Sequence, residues 1–418
     1  MGKTTDYFRE KKPWSYLKDA LLECYLPPYL AKIAKREQKV CVIDCFAGKG
    51  KFDDGSDGSP LIIADAIRTC LSRKPKSQIE SIFIERKYAG DLGKNLGGYP
   101  YCEVVEGRFE DNFERFRKIC RRASVLLYID PYGINSLDSL LFRELIDISK
   151  RLRTSFEMLL NLNTMGFLRE GCRLIKPSMD LSDFDDSDEL YEDEIESKEK
   201  MNRIAGGSFW EGLVRDYYNG KINFAQLENR FTRGYLEHIG VKMGWKGFNY
   251  VLETPIKAKN KNVPKYRMIF GTNHVDGAIL MADNMNKRWN QFLRRDRGGQ
   301  MLLFDFLVTT EGKEFSPVQI DDEIMRLIQK HGEVCYKEML VTVWAKLGIA
   351  VSQKEIADQI RGLATRGELK INREPPSTST GKKPKSLDHR KYRITLKKGS
   401  GKEVQTGQKQ STQMSLFE

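Results

Sequence analysis

The chain has 418 residues, 40% of them hydrophobic and 31% charged, and a formal net charge of +12 at pH 7. At roughly 100 to 200 residues per domain this length implies a large core and two domains. No apolar run approaches the ~20 residues of a membrane span, and the opening MGKTTDYFREKKPW lacks the apolar centre of a signal peptide.

The eight cysteines (Cys24, Cys41, Cys45, Cys70, Cys102, Cys120, Cys172 and Cys335) stand singly, without CxxC or Cys/His metal spacing. Reduced thiols, no metal site and a cytoplasmic location are expected. The basic balance favours a polyanionic partner, but charge is sorted along the chain. Asp180 to Glu196 contains no Lys or Arg, whereas Lys382 to Lys409 is rich in both.

In chain order, an amphipathic start at Tyr16 to Lys35 precedes strand-like runs at Val40–Cys45, Ile79–Glu85, Cys102–Glu106, Val125–Ile129 and Phe156–Asn161. Helical spacing appears between them at Leu61–Leu71, Phe109–Arg121 and Asp138–Leu152. Strands alternating with helices imply a parallel sheet covered on both faces. The rhythm breaks over 164–247, an inserted substrate or specificity region. Its acidic part, 178–200, reads as flexible, since runs of like charge rarely pack, and helical patterns follow at Phe209–Tyr218 and Phe224–Ile239.

Strand-like runs return at Phe248–Leu252 and Tyr266–Gly271, and the short link between them suits an antiparallel pair. Five parallel strands and an antiparallel pair form the pattern expected of an S-adenosylmethionine-dependent methyltransferase sheet. Helical spacing at Gly277–Phe292 closes this unit at about residue 297, and 298–317 reads as a linker. A second unit over 318–398 shows helical patterns at Gln319–Lys330, Tyr336–Leu347 and Gln353–Arg366, then strands at Leu369–Asn372 and Tyr392–Leu396. Three helices and a two-stranded ribbon predict a winged helix-turn-helix. Residues 399–418 read as a flexible tail.

The candidate chemistry sits where strands end. The first strand stops at Asp44 and runs into Phe46-Ala47-Gly48-Lys49-Gly50. Ligands of an open α/β sheet bind at this edge, and glycine lets the backbone approach a ligand that a Cβ would exclude. The helix is then delayed by Lys51–Gly58, an acidic flap, until Ser59-Pro60, which suit a cap and a first helical position. Glu85 ends the second strand, where a carboxylate can accept ribose hydroxyls. After the third, EGRFED brings Arg108, Glu110 or Asp111 near an adenine ring. The fourth delivers Asp130-Pro131-Tyr132-Gly133. Amino-methyltransferases carry Asp/Asn-Pro-Pro-aromatic at this point; here the aromatic comes one place early.

Taken together, FAGKGKFDDGSDGSPL, DPYG and YRMIFGTNHVDGAILMADNMNKRW resemble the three-Cys-motif partner protein family, over roughly residues 6 to 292. The resemblance implies a Rossmann-like methyltransferase fold and a separate partner protein that supplies three cysteines. It also implies that Asp44, Phe46, Gly48 and Gly50 line the S-adenosylmethionine pocket and that Asp130 faces the methyl-transfer site. From their own places in the strand-end motifs, Ala47, Glu85, Arg108 and Asp111 join the cofactor candidates, and Pro131 and Tyr132 join Asp130 as catalytic candidates.

In the winged helix, Gln353, Lys354 and Gln359 are candidates for base contact, with Arg361, Arg366, Lys382, Lys383 and Lys385 on phosphates. The tail ends in Gln413-Met-Ser-Leu-Phe-Glu, which resembles the pentapeptide that docks bacterial proteins on the replicative sliding clamp. Gln413, Leu416 and Phe417 would make that contact. A similar string, Gln300 to Phe304, reads as a packed strand. The expectation is therefore a methyltransferase acting on a nucleic-acid base, with DNA ahead of RNA and a non-catalytic adaptor or DNA-binding regulator as the alternative.

Overall fold

The computed structural model describes residues 8–9, 11, 13–36, 38–131, 133–135, 138–151, 155–177, 195–240, 247–257, 264–295, 317–376, 381 and 386–399. Several expectations lie outside these residues: Tyr132, most of the acidic stretch, the linker with Gln300 to Phe304, the wing lysines Lys382, Lys383 and Lys385, and the tail with Gln413, Leu416 and Phe417. The chain forms two compact units, Met1–Glu314 with Trp344–Ser352, and Phe315–Val343 with Gln353–Glu418.

The first unit opens with helix α1 (Pro13–Ile33) and alternates from there: β1 (Val40–Asp44), α2 (Ser59–Arg73), β2 (Ile79–Glu85), α3 (Ala89–Leu96), β3 (Cys102–Glu106), α4 (Phe113–Cys120), β4 (Ser124–Ile129), α5 (Ser139–Arg151) and β5 (Phe156–Leu162). Four helices, α6 (Thr164–Ile175), α7 (Lys198–Ala205), α8 (Phe209–Tyr218) and α9 (Phe224–His238), come before β6 (Tyr250–Lys257), β7 (Pro264–Thr272) and α10 (Val275–Arg295). The seven strands form one sheet in the order β3-β2-β1-β4-β5-β7-β6, the first five parallel and β7 antiparallel to both neighbours.

Composition explains the layering. Every residue of β1, β4 and β5 is buried, as strands with a helix layer on each face require. The edge strand β3 is only partly covered. Glu157, inside the buried β5, is tolerated because the Tyr25 hydroxyl donates to its Oε2 at 2.5 Å and Thr272 Oγ1 to its Oε1 at 2.9 Å. Arg267 and Glu228, both nearly fully buried, make a two-pronged ion pair that fastens β7 to α9. α9 begins with a full capping box of Asn223 and Gln226. α1 packs on α2 and α10, so the N-terminal helix is part of the sheet's cover.

Strand order reverses between β1 and β4. The chain first winds from β1 outward to β3, then returns to the other side of β1. The C-terminal ends of these two strands lie side by side at that switch point, Asp44 in register with Tyr128.

The second unit contains α11 (Pro317–His331), β8 (Glu333–Cys335), α12 (Tyr336–Leu347) as far as Val343, α13 (Gln353–Thr365), β9 (Leu369–Glu374) and β10 (Arg393–Lys398). Its sheet is antiparallel in the order β8-β10-β9, so the expected two-stranded ribbon gains a third, three-residue strand. Ile324, Leu340, Ile356, Ile360, Leu369 and Leu396 form its buried centre.

Candidate active site

At the end of β1 the backbone keeps its sheet bonds on both sides as it enters the glycine loop: Cys45 N donates to Tyr128 O and Ala47 N to Ile84 O, each at 3.0 Å. Gly48 and Gly50 then take φ of 64° and 80°, a region side chains strain to occupy. At Gly50 a Cβ would also press on Leu92 at 2.9 Å. Gly58 N closes the loop on Gly50 O at 2.9 Å.

Asp44 is fully buried beneath this loop. Phe46 N donates to its Oδ1 at 3.1 Å and Ser59 Oγ to its Oδ2 at 2.7 Å. Burial pushes its carboxyl up to about 7, against the pull of those two bonds. Ser59 was expected to cap α2, but its hydroxyl is used on Asp44. Gly58 takes the cap position without a side-chain bond, and Pro60 occupies the first turn as anticipated.

The flap over 51–57 is a tight turn. Lys51 bridges Asp57, and Asp54 Oδ1 accepts from Ser56 N at 2.8 Å and Ser56 Oγ at 2.6 Å. Lys11 ties it down by donating from Nζ to Asp57 O at 2.6 Å and pairing with Asp19 at 2.5 Å. The Phe8 ring lies 5.8 Å from Phe52 and 5.0 Å from Tyr88.

Glu85 is buried at the end of β2 and acts on the same loop. Its Oε2 accepts from Gly48 N at 2.8 Å, its Oε1 from Lys87 N at 2.7 Å and Tyr88 N at 3.1 Å. Of the residues after β3, Arg108 and Asp111 are exposed. Glu110 instead has a buried Oε2 with no hydrogen-bond partner among the described residues; burial, followed by the carboxylates of Asp44 and Glu110, raises the thiol of Cys45 at the end of β1. Phe46 is half-buried, 6.1 Å from Phe109.

Asp130 follows β4 and meets residues that sequence reasoning missed. Lys18, in α1, donates to both its oxygens at 2.8 and 2.6 Å, and Asn161, in β5, donates to Oδ1 at 2.8 Å. Asp19, also from α1, is buried beside Lys11, and burial lifts its carboxyl to about 6. Pro131 is buried after Asp130. A single pocket is lined by Ser15, Lys18 and Asp19 of α1, by the glycine loop and flap from Phe46 to Ser59, and by Asp130. The structure thus brings Phe46, Ala47, Gly48, Gly50 and Asp130 to one opening, with Asp44 and Glu85 supporting the loop. α1 gave one signal of its role: Lys18 and Asp19 are charged yet sit among its apolar positions.

Among the described residues no group of His, Cys, Asp and Glu could hold a metal ion, no helix is long and apolar enough to cross a membrane, and all eight cysteines are free thiols.

In the second unit, Lys354 and Arg361 are exposed on α13, whereas Gln353 and Gln359 are half-buried. Gln353 Nε2 lies 3.5 Å from His389 Nδ1. Arg361 pairs with Asp358 at 2.6 Å, and Arg366 pairs with Asp321 at 2.8 Å and Glu368 at 2.5 Å.

No protein-family model matches this chain, and no curated protein matches it by sequence. Solved structures similar to it include a Staphylococcus aureus protein assigned as a caffeoyl-CoA O-methyltransferase, with 10% identity over 59% of this chain and 82% of that one at a TM-score of 0.24. The CurJ carbon methyltransferase matches at 12% identity over 58% of this chain and 54% of its own, with a TM-score of 0.27. A precorrin-6y C5,15-methyltransferase from Geobacter metallireducens matches at 12% identity over 59% and 86%, with a TM-score of 0.24.

Proposed function

We propose that the chain is an S-adenosylmethionine-dependent methyltransferase that modifies a base in nucleic acid, DNA in preference to RNA. One observation carries this reading. The Gly48–Gly50 turn and Asp130 open on the same pocket, at the C-terminal ends of β1 and β4 where the strand order reverses, the position at which open α/β sheets bind their ligands.

The residues present suit the donor. Backbone from Phe46 to Gly50 offers close approach without Cβ atoms at the two glycines. Glu85 keeps acceptor capacity for ribose hydroxyls beyond its three backbone bonds, and the partnerless Glu110 Oε2 is an acceptor for the adenine amine. Asp19 and Asp130 line the pocket opposite Lys18 and Lys51, so carboxylates are at hand for a cationic ligand although the lining carries no net charge. When bound, S-adenosylmethionine supplies an electrophilic methyl group on a sulfonium. The chain's own contribution is alignment and exclusion of water, worth a large share of the barrier when reacting atoms are held near contact.

The nucleic-acid part of the proposal draws on the second unit. Its helices and three-stranded antiparallel sheet suit a winged helix, with α13 in the recognition position and Lys354 on its exposed face. The net charge of +12 supports a polyanionic target. A three-cysteine-motif protein and, through the tail, a sliding clamp are the proposed partners.

Labelled donor, incubated with full-length protein and separate DNA, tRNA and rRNA pools, tests the proposal; label in DNA is expected, and label only in RNA moves the substrate. A second reading, an adaptor without catalysis, is favoured by the occupation of Asp130 by Lys18. Calorimetry separates the two, because an adaptor has no need to bind the donor.

A further inference from the structure

Asp130 is a crowded acceptor. An ionised carboxylate offers about four lone-pair sites. Lys18 Nζ reaches Oδ1 at 2.8 Å and Oδ2 at 2.6 Å, Asn161 Nδ2 reaches Oδ1 at 2.8 Å, and the Tyr128 hydroxyl reaches Oδ2 at 3.4 Å. A target amine arriving here has to displace a donor that the chain itself supplies.

Asn161 is in the converse state. It is 2% exposed, its Nδ2 is used on Asp130, and its Oδ1 has no hydrogen-bond partner among the described residues. Buried acceptors left without a donor are costly and uncommon. Asn163, two residues on, shows the ordinary use of the same side chain: its Oδ1 accepts from Gly166 N at 2.8 Å and starts α6. Asn161 has no such structural duty. Ile129 pairs with Leu160 in the parallel register of β4 and β5, so Asp130, just past the end of β4, stands beside Asn161, the penultimate residue of β5.

Resting on the methyl-transfer reading, we propose that Asn161 Oδ1 is the atom that accepts the hydrogen bond from the target amine, with Asp130 and Lys18 as positioning residues. Donation from Nδ2 to the carboxylate polarises the carboxamide and raises electron density on its oxygen. Asp130 therefore acts on the target through Asn161, and Lys18 keeps the carboxylate in place. An amide oxygen accepts a hydrogen bond but takes up no proton near neutral pH, so this site suits an exocyclic base amine and not a hydroxyl that needs a base. In the transfer the nitrogen lone pair takes the methyl carbon, the carbon–sulfur electron pair stays on sulfur, and the surplus N–H proton leaves to water. Oδ1 is closed to water in this structure, so its hydrogen bond forms only as the target enters, as catalytic bonds often do.

Sinefungin carries an amine where the donor carries its methyl group, and S-adenosylhomocysteine carries nothing there. Calorimetry of the full chain with each ligand is expected to show sinefungin binding about tenfold tighter, the scale of one hydrogen bond to a charged donor. Asn161→Leu should lose that preference while keeping S-adenosylhomocysteine affinity within about twofold, and Asn161→Asp should retain it. If Asn161→Leu loses both ligands, the same ratio measured on Asn161→Ser decides. Equal binding to the wild type, or an intact preference in the Asn161 variants lacking the carbonyl, overturns the assignment. Loss in Asp130→Asn with retention in Asn161→Leu returns the role to Asp130. Binding of neither ligand by the wild type removes the methyl-transfer reading itself, and this inference with it.

Discussion

Lys18 holds both carboxylate oxygens of Asp130, at 2.8 and 2.6 Å, across 112 positions of sequence. The pair ties the N-terminal helix to the edge where β4 ends. The Lys18 side chain is only 4% exposed and that of Asp130 20%, so removing one partner strands a charge that water reaches poorly. Lys18→Met is expected to cost about 2–4 kcal/mol, and Lys18→Met combined with Asp130→Leu less than the sum of the single changes. Urea unfolding of the four proteins measures the coupling; additive losses would show that the contact contributes no net stability.

How much of this was legible depended on distance along the chain. Central strands announced themselves because burial on both faces demands unbroken apolar runs, and Ile79–Glu85 and Cys102–Glu106 matched to the residue. α3 was missed because AGDLGKNL buries only Leu92 and Leu96 and carries two glycines. α6 was missed for a related reason, with Gly166 and Gly171 diluting its helical signal. The glycine loop and Asp130 could be read because each motif is contiguous. Lys18, Asp19 and Asn161 could not, since a charged residue on a helix and a polar one near a strand end are ordinary until the fold sets them beside Asp130. Ser59 was legible as a residue of interest but not in its role: the cap and the bond to Asp44 compete for one hydroxyl.

Glu157 makes stability depend on pH. Burial raises its carboxyl from 4.5 to about 7 despite the hydrogen bonds from Tyr25 and Thr272. An acid whose folded value lies above its unfolded one stabilises the fold fully below the unfolded value and loses that contribution as pH rises through the folded one. Between about pH 4.5 and 7 the Glu157 contribution should therefore fall by roughly 3 kcal/mol. Denaturant midpoints of the wild type should drop over this window more steeply than those of Glu157→Gln; parallel curves would place the titrating group elsewhere.

Two carboxylates, Asp19 in the pocket and Asp44 beneath its glycine loop, predict a pH dependence of a different quantity. Burial raises Asp44 to about 7 and Asp19 to about 6, so both ionise as the pH rises from 5.5 to 8. A sulfonium donor gains one charge facing its pocket, on Asp19, and one beneath the glycine loop, on Asp44, and should bind several-fold tighter at the upper end. S-adenosylhomocysteine, with a neutral thioether, should change much less. Asp44→Asn is expected to flatten the donor's profile, and a donor and product that respond equally would deny the carboxylates this role.

The exposed face of α13 offers a test of nucleic-acid contact that does not depend on catalysis. It presents Lys354 and Arg361 together with Glu355 and Asp358, and Asp358 holds Arg361 at 2.6 Å. Both members of that pair are about half exposed, so the bond contributes little to stability, yet it neutralises a guanidinium that could otherwise meet phosphate. Asp358→Asn should strengthen binding to duplex DNA several-fold. Lys354→Glu should weaken it and lower the slope of log affinity against log salt by about one. Fluorescence anisotropy between low and physiological salt reads both effects. If affinity and slope stay unchanged in both variants, α13 does not face the nucleic acid, and the basic charge of the chain acts through another surface.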